Sequence, residues 1–62
     1  MNNDQIEKII DYIAAKGMSE ESYNSFIKLN LASKILGLKI FAHLSRDFET
    51  LYNLEKMEMQ IT

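Results

Sequence analysis

From Glu20 to Ser45 the chain contains no proline and a single glycine, and its apolar residues fall almost all the way round a helix. This run constrains the fold most. Nothing in it forces a stop, and at 100° per residue Asn24, Lys28, Lys39, His43 and Arg46 line up on one narrow polar strip. Tyr23, Phe26, Ile27, Leu29, Leu31, Leu36, Leu38, Ile40, Phe41 and Leu44 spread over the remainder. That apolar arc is far wider than a helix on the surface of a small protein needs. Read as one helix over 20–45, it is about 39 Å long at ~1.5 Å per residue; read with a break at Gly37, it is two shorter helices.

The flanks read as helices as well. Ile6, Ile9, Ile10 and Ile13 follow the i, i+3, i+4, i+7 spacing of one buried stripe, which predicts a helix over 5–16. Asp4 with Glu7 three residues on has the form of a capping box. Lys16-Gly17 supplies a closing cation and a residue tolerant of a left-handed cap. Met18-Ser19-Glu20-Glu21-Ser22-Tyr23 is the sharpest start signal: Ser19 as N-cap, two acids at the positive helix end, and Met18 with Tyr23 spaced as a hydrophobic staple. A third segment, 46–60, carries Phe48, Leu51, Tyr52, Leu54, Met57 and Met59 and takes a cap from Ser45 or Asp47, or continues the central helix. No window alternates in the manner of a strand. The expectation is a single all-α domain spanning 1–62, with two or three helices (about 5–16, 20–45 and 46–60) in a small bundle.

Size then makes self-association the economical solution. A chain of 62 residues buries only about 60% of the surface its unfolded form exposes. Chains this small usually need disulfides, a metal, a partner or very efficient helix packing. There is no cysteine and only one histidine, so disulfides and thiolate sites are excluded and a protein-only zinc site has little to work with. Two copies of a helical hairpin build a four-helix bundle, joined by a two-fold axis. Asn30, Ser33 and Gly37 form a row of small residues where a second helix can approach, and with Phe41 and Leu44 they make the expected homodimer interface. The alternative is a three-helix monomer that buries the whole apolar arc.

Chemistry is sparse. His43 has no Ser, Cys or paired carboxylate at a telling spacing, though Ser45 and Asp47 follow it closely. A chain this short rarely builds a catalytic pocket alone, so the expectation is a protein that is not an enzyme and carries no cofactor or metal. Paired acids at Glu20-Glu21 or Glu55/Glu58 are explained by helix-end electrostatics and solvation. The Met residues at 57 and 59 fit either an adaptable partner surface or a fraying terminus.

Charge is segregated. Residues 22–46 hold four bases (Lys28, Lys34, Lys39, Arg46) and no acid, while the flanks are acidic and the net charge is −2. The strip Asn24, Lys28, Lys39, His43, Arg46 is the candidate partner-binding face; its cations serve equally as a solvated face paired to neighbouring glutamates. The leading functional expectation is a small regulatory or bridging protein that binds another protein, as a homodimer. The alternative is a DNA-binding transcriptional regulator with a divergent helix-turn-helix at 32–46. Its register is poor, because Ile40-Phe41-Ala42 stands where a recognition helix presents polar side chains. The start Met1-Asn2-Asn3-Asp4-Gln5 lacks a basic n-region, no stretch suits a membrane span, and the acidic flanks disfavour anionic lipid. The expected location is therefore cytoplasmic, and the abundance of Ile, Asn and Lys suggests an A/T-rich coding sequence of bacterial or phage type.

Overall fold

Four helices make up the structure, a computed structural model that describes residues 2–61: α1 (Asn3–Gly17), α2 (Glu20–Phe26), α3 (Leu31–Leu44) and α4 (Phe48–Glu58). No strand occurs among the described residues. Each helix begins at a polar side chain that accepts a hydrogen bond from the backbone N–H three residues on: Asn2 from Gln5, Ser19 from Ser22, Asn30 from Ser33 and Asp47 from Thr50. These contacts satisfy donors that the first helical turn leaves without partners. The repeated cap cuts the chain into four pieces without any proline.

The expected two or three helices are thus four, and the continuous helix over 20–45 is corrected. It breaks at 27–30, not at Gly37. Ile27 closes α2 in a helical conformation, and Asn30 turns extended (φ −74°, ψ 169°) to cap α3. Asn competes well for cap positions because its side chain replaces a backbone acceptor. Gly37 lies in mid-helix and α3 runs straight through it. The start of α1 is also corrected. Asn2 and Gln5 form the capping box, and Asp4 sits inside the first turn. At the other end, Gly17 takes no left-handed conformation, and Met18 closes the helix extended (φ −102°, ψ 153°). Ser19 caps α2 as the sequence indicates. The last helix starts at Phe48 under Asp47 and ends at Glu58, within the expected 46–60.

Ile6, Ile10 and Ala14 of α1, Phe26 of α2, Ile35 and Leu38 of α3, and Leu54 and Met57 of α4 form the core, with Ile13, Met18, Tyr23, Leu31 and Ile61 packed at its edge. Full burial of each large aliphatic side chain contributes about 1.5–3 kcal/mol. The α3 and α4 helices form the most extensively packed pair, joined by the three-residue turn 45–47, in which Arg46 adopts φ 59°. A radius of gyration of 10.7 Å matches the ~10.6 Å of a folded domain of this length.

Among the described residues one charged side chain lies inside. Lys34 is 3% exposed. Its Nζ donates to Glu7 Oε2 at 3.0 Å and Asp11 Oδ1 at 2.9 Å, two acids one turn apart on α1. Burial pulls the ammonium pKa down, but hydrogen bonds and charge from Asp11 and Glu7 more than offset it, and the group stands above its ordinary value. The same ammonium lies 5.9 Å from the centroid of the Phe26 ring. Lys34 therefore ties α1 to α3 and touches α2, a role the sequence pattern did not disclose.

Candidate functional site

The principal feature of the surface is the outward side of α3. Lys34, Ile35, Leu38 and Ala42 face inward. Leu36, Ile40 and Leu44, spaced four apart and therefore stacked along one line, face solvent at 58%, 55% and 76% exposure. Ser33 and Gly37 fall on the same outer side, and a Cβ added at Gly37 would meet nothing within 4 Å. A helix apolar all round belongs in an interior, yet this one is covered on one side only. The patch continues over the turn. The His43 ring meets Phe48 edge-on with centroids 6.4 Å apart, and Phe48 and Tyr52, again four apart, are both exposed on α4.

Of the five residues expected at a dimer interface, Ser33, Gly37 and Leu44 share this outer side. Asn30, exposed at the N-terminal end of α3, caps the helix through its side chain. Phe41 is 38% exposed and lies at the flank of the helix, where a Cβ placed on Gly17 would lie 3.2 Å from its Cε2. Leu36, Ile40, Phe48 and Tyr52 complete the patch. The signal for them was present in their i, i+4 spacing, but a continuous 20–45 helix gave no reason to separate an inner arc from an outer one.

The residues of the polar strip do not share one helix. Asn24 lies on α2 and Lys28 in the break after it, both exposed. Lys39 and His43 stand four apart on α3, and Arg46 occupies the left-handed turn position. Lys39 Nζ is paired with Glu58 Oε1 at 3.0 Å, tying α3 to α4. The segment 32–46 is the body of α3 and the turn after it, so no helix-turn-helix is centred on Gly37. The nearest such arrangement is α2, the 27–30 break and α3, and there α3 offers Leu36 and Ile40 outward.

Among the described residues, no group of three or more His, Asp or Glu is placed to hold a metal ion, and no helix is long and apolar enough to cross a membrane. Comparison of the chain with protein-family models, with curated proteins and with solved structures finds no match in any of the three.

Proposed function

We propose that this chain is a non-enzymatic interaction protein that works as a homodimer, formed through the outer sides of α3 and α4, and that regulates or bridges a second protein. The observation that carries the reading is the line Leu36, Ile40, Leu44, exposed on a helix whose opposite side is core. With Phe48 and Tyr52 it presents five large side chains, each more than half exposed, an apolar area on the order of several hundred Å². That is the size of the largest patch a monomer exposes, about 300–600 Å². With its polar rim it approaches the ~800 Å² per partner of a standard interface. The accessible surface of the chain, 4489 Å², also exceeds the roughly 4,100 Å² of a typical folded monomer of this mass. Ser33 and Gly37 permit close approach of a second α3, and two α3–α4 hairpins then complete a four-helix bundle.

Sedimentation equilibrium tests this directly. The native chain is expected to sediment as a dimer at micromolar concentration, and Ile40→Glu with Leu44→Glu as a folded monomer. A native chain that stays monomeric at 100-fold higher concentration refutes the homodimer. The residues left at the ends of the dimer face, Lys28, Asn24 and Arg46, with Lys39 and His43 beside it, supply the partner-protein contacts. An exchange of Lys39 and Arg46 for glutamate is expected to abolish partner capture with the helix content kept. DNA binding has less support: the chain is acidic overall, Lys34 is inside, and the exposed side of α3 is apolar where base edges need polar partners.

A further inference from the structure

On the other side of α3 from the dimer face, a cleft of about 340 Å³ opens between the end of α1, α3 and the turn into α4. Its floor is apolar, made by Ile13, Leu38, Phe41 and Ala42. Its α1 wall is different. Lys16 and Tyr12 stand there, the Lys16 ammonium 5.1 Å from the Tyr12 ring centroid. Among the described residues Lys16 has no carboxylate partner, and neither the Tyr12 phenol nor the Ser45 hydroxyl has a hydrogen bond. Three donors, one of them cationic, thus border an apolar hollow, each exposed and uncommitted to another protein group. On the opposite wall the only carboxylate, Asp47, is already engaged: Oδ1 accepts the Thr50 N–H and Oδ2 the Thr50 hydroxyl at 2.6 Å.

Gly17 bears on how the hollow is kept open. Its φ is not left-handed, so backbone conformation does not require glycine. Phe41 approaches closely: a Cβ at position 17 would lie 3.2 Å from its ring, which would have to give by a few tenths of an ångström on the cleft floor. Size and lining match small-molecule sites, which start near 300 Å³ and combine apolar walls with a few convergent polar groups.

We propose that this cleft binds a small amphipathic anion, an aromatic or short alkyl body on the floor of Leu38, Phe41 and Ala42, with its carboxylate or sulfonate held by Lys16, Tyr12 and Ser45. Charge complementarity selects the anion: Lys16 is the one cation in the lining and has no carboxylate partner, while the one carboxylate there, Asp47, is engaged by Thr50. The inference is independent of the dimer, which uses the other side of α3.

The probe is 8-anilino-1-naphthalenesulfonate, with its uncharged counterpart N-phenyl-1-naphthylamine as control. Binding is followed by fluorescence and located by ¹⁵N chemical-shift changes in the native chain. The expected result is saturable binding with shifts centred on Lys16, Gly17 and Ser45, weaker binding of the neutral probe, and loss of about tenfold in affinity in Lys16→Glu, the value of one charge-assisted contact. Ala42→Leu, which fills the floor, is expected to abolish binding. If that variant fails to fold, Lys16→Met and Lys16→Glu, both at an exposed position, carry the test. Shifts centred on Leu36, Ile40 and Leu44, equal affinity for the two probes, an unchanged affinity in Lys16→Glu, or no saturable binding each overturn the proposal.

Discussion

Cutting the Lys34 cluster from its two ends should have unequal consequences. The Lys34 side chain is 4% exposed, while Glu7 and Asp11 are 40% and 31% exposed. Lys34→Met removes the buried charge and keeps an unbranched stem of similar length. The two carboxylates left behind are already partly hydrated, and their mutual repulsion across one turn costs a few tenths of a kcal/mol. Replacing a buried ion by an apolar residue is often neutral or stabilising, so the variant is expected within ~1 kcal/mol of the native chain. Glu7→Ala with Asp11→Ala does the opposite and strands an ammonium inside the protein. Breaking a fully buried pair in that way costs about 3–5 kcal/mol. Because these carboxylates are partly solvated and the lysine stem can reach outward, the figure is reduced to roughly 2–3 kcal/mol. Folded chains of this length have only about 3–9 kcal/mol in total. Urea unfolding followed by circular dichroism resolves the difference, since with a slope near ~1 kcal/mol/M the double variant loses two molar or more in midpoint. The sign for pH follows. The Lys34 pKa is raised on folding, so its contribution is fully present below the unfolded value near 10.5 and is lost as pH rises through the folded one. Lys34→Met is expected to lack that alkaline loss. A Lys34→Met chain less stable than the double-alanine chain would refute the reasoning.

Asn30→Ala removes the cap that separates α2 from α3 and is expected to cost about 1 kcal/mol, read from the urea midpoint, with Asn30→Asp close to native. Gly37→Ala meets open space on an exposed helix face and is expected to stabilise the dilute monomer by roughly 0.5–1 kcal/mol. At high concentration the added methyl should weaken self-association, measured by sedimentation. Asp47 is held below its ordinary value by the Thr50 hydroxyl and then by the Thr50 N–H. Its contribution is therefore present above the unfolded value near 3.8 and lost as pH falls through the folded one. Asp47→Asn should keep the cap and remove that part of the acid dependence of the thermal midpoint.

Local signals carried much of the architecture. The α1 stripe places Ile6 and Ile10 in the core, although Ile9 lies at the edge of the stripe and stays exposed. Ser19, Met18 and Tyr23 mark the start of α2 as expected, with the two apolar residues packed against the core. Asp47 caps α4. The central break was hidden because hydrophobic periodicity counts apolar residues and Asn30 was counted as a small one. Its role depends on a hydrogen bond to Ser33 N–H, which competes with helix continuation only once the tertiary fold favours a turn. Gly37 misled for the complementary reason: its cost in a helix interior is about 1 kcal/mol, well below the value of burying Ile35 and Leu38 on either side. Lys34 was invisible because its burial depends on Glu7 and Asp11, 27 and 23 residues away. The outer line of α3 was legible as an excess of apolar circumference, and only the break at 27–30 fixed which residues the excess consists of.

The three-residue connection between α3 and α4 has a consequence for the order of assembly. The most extensively packed helix pair is joined by only three residues, so its closure entropy is small and its contacts are expected early. Docking of α1 on α3 closes a loop of more than twenty residues and is expected to follow, with the contact of Lys34 to its acids among the later ones. Such low contact order belongs to chains that fold in microseconds to milliseconds. It also sets the sequence of opening: amide protons of α1 should exchange before those of the α3–α4 hairpin. Freeing α1 would bare Ile35 and Leu38, so an α3–α4 pair left without it would carry apolar surface on both sides.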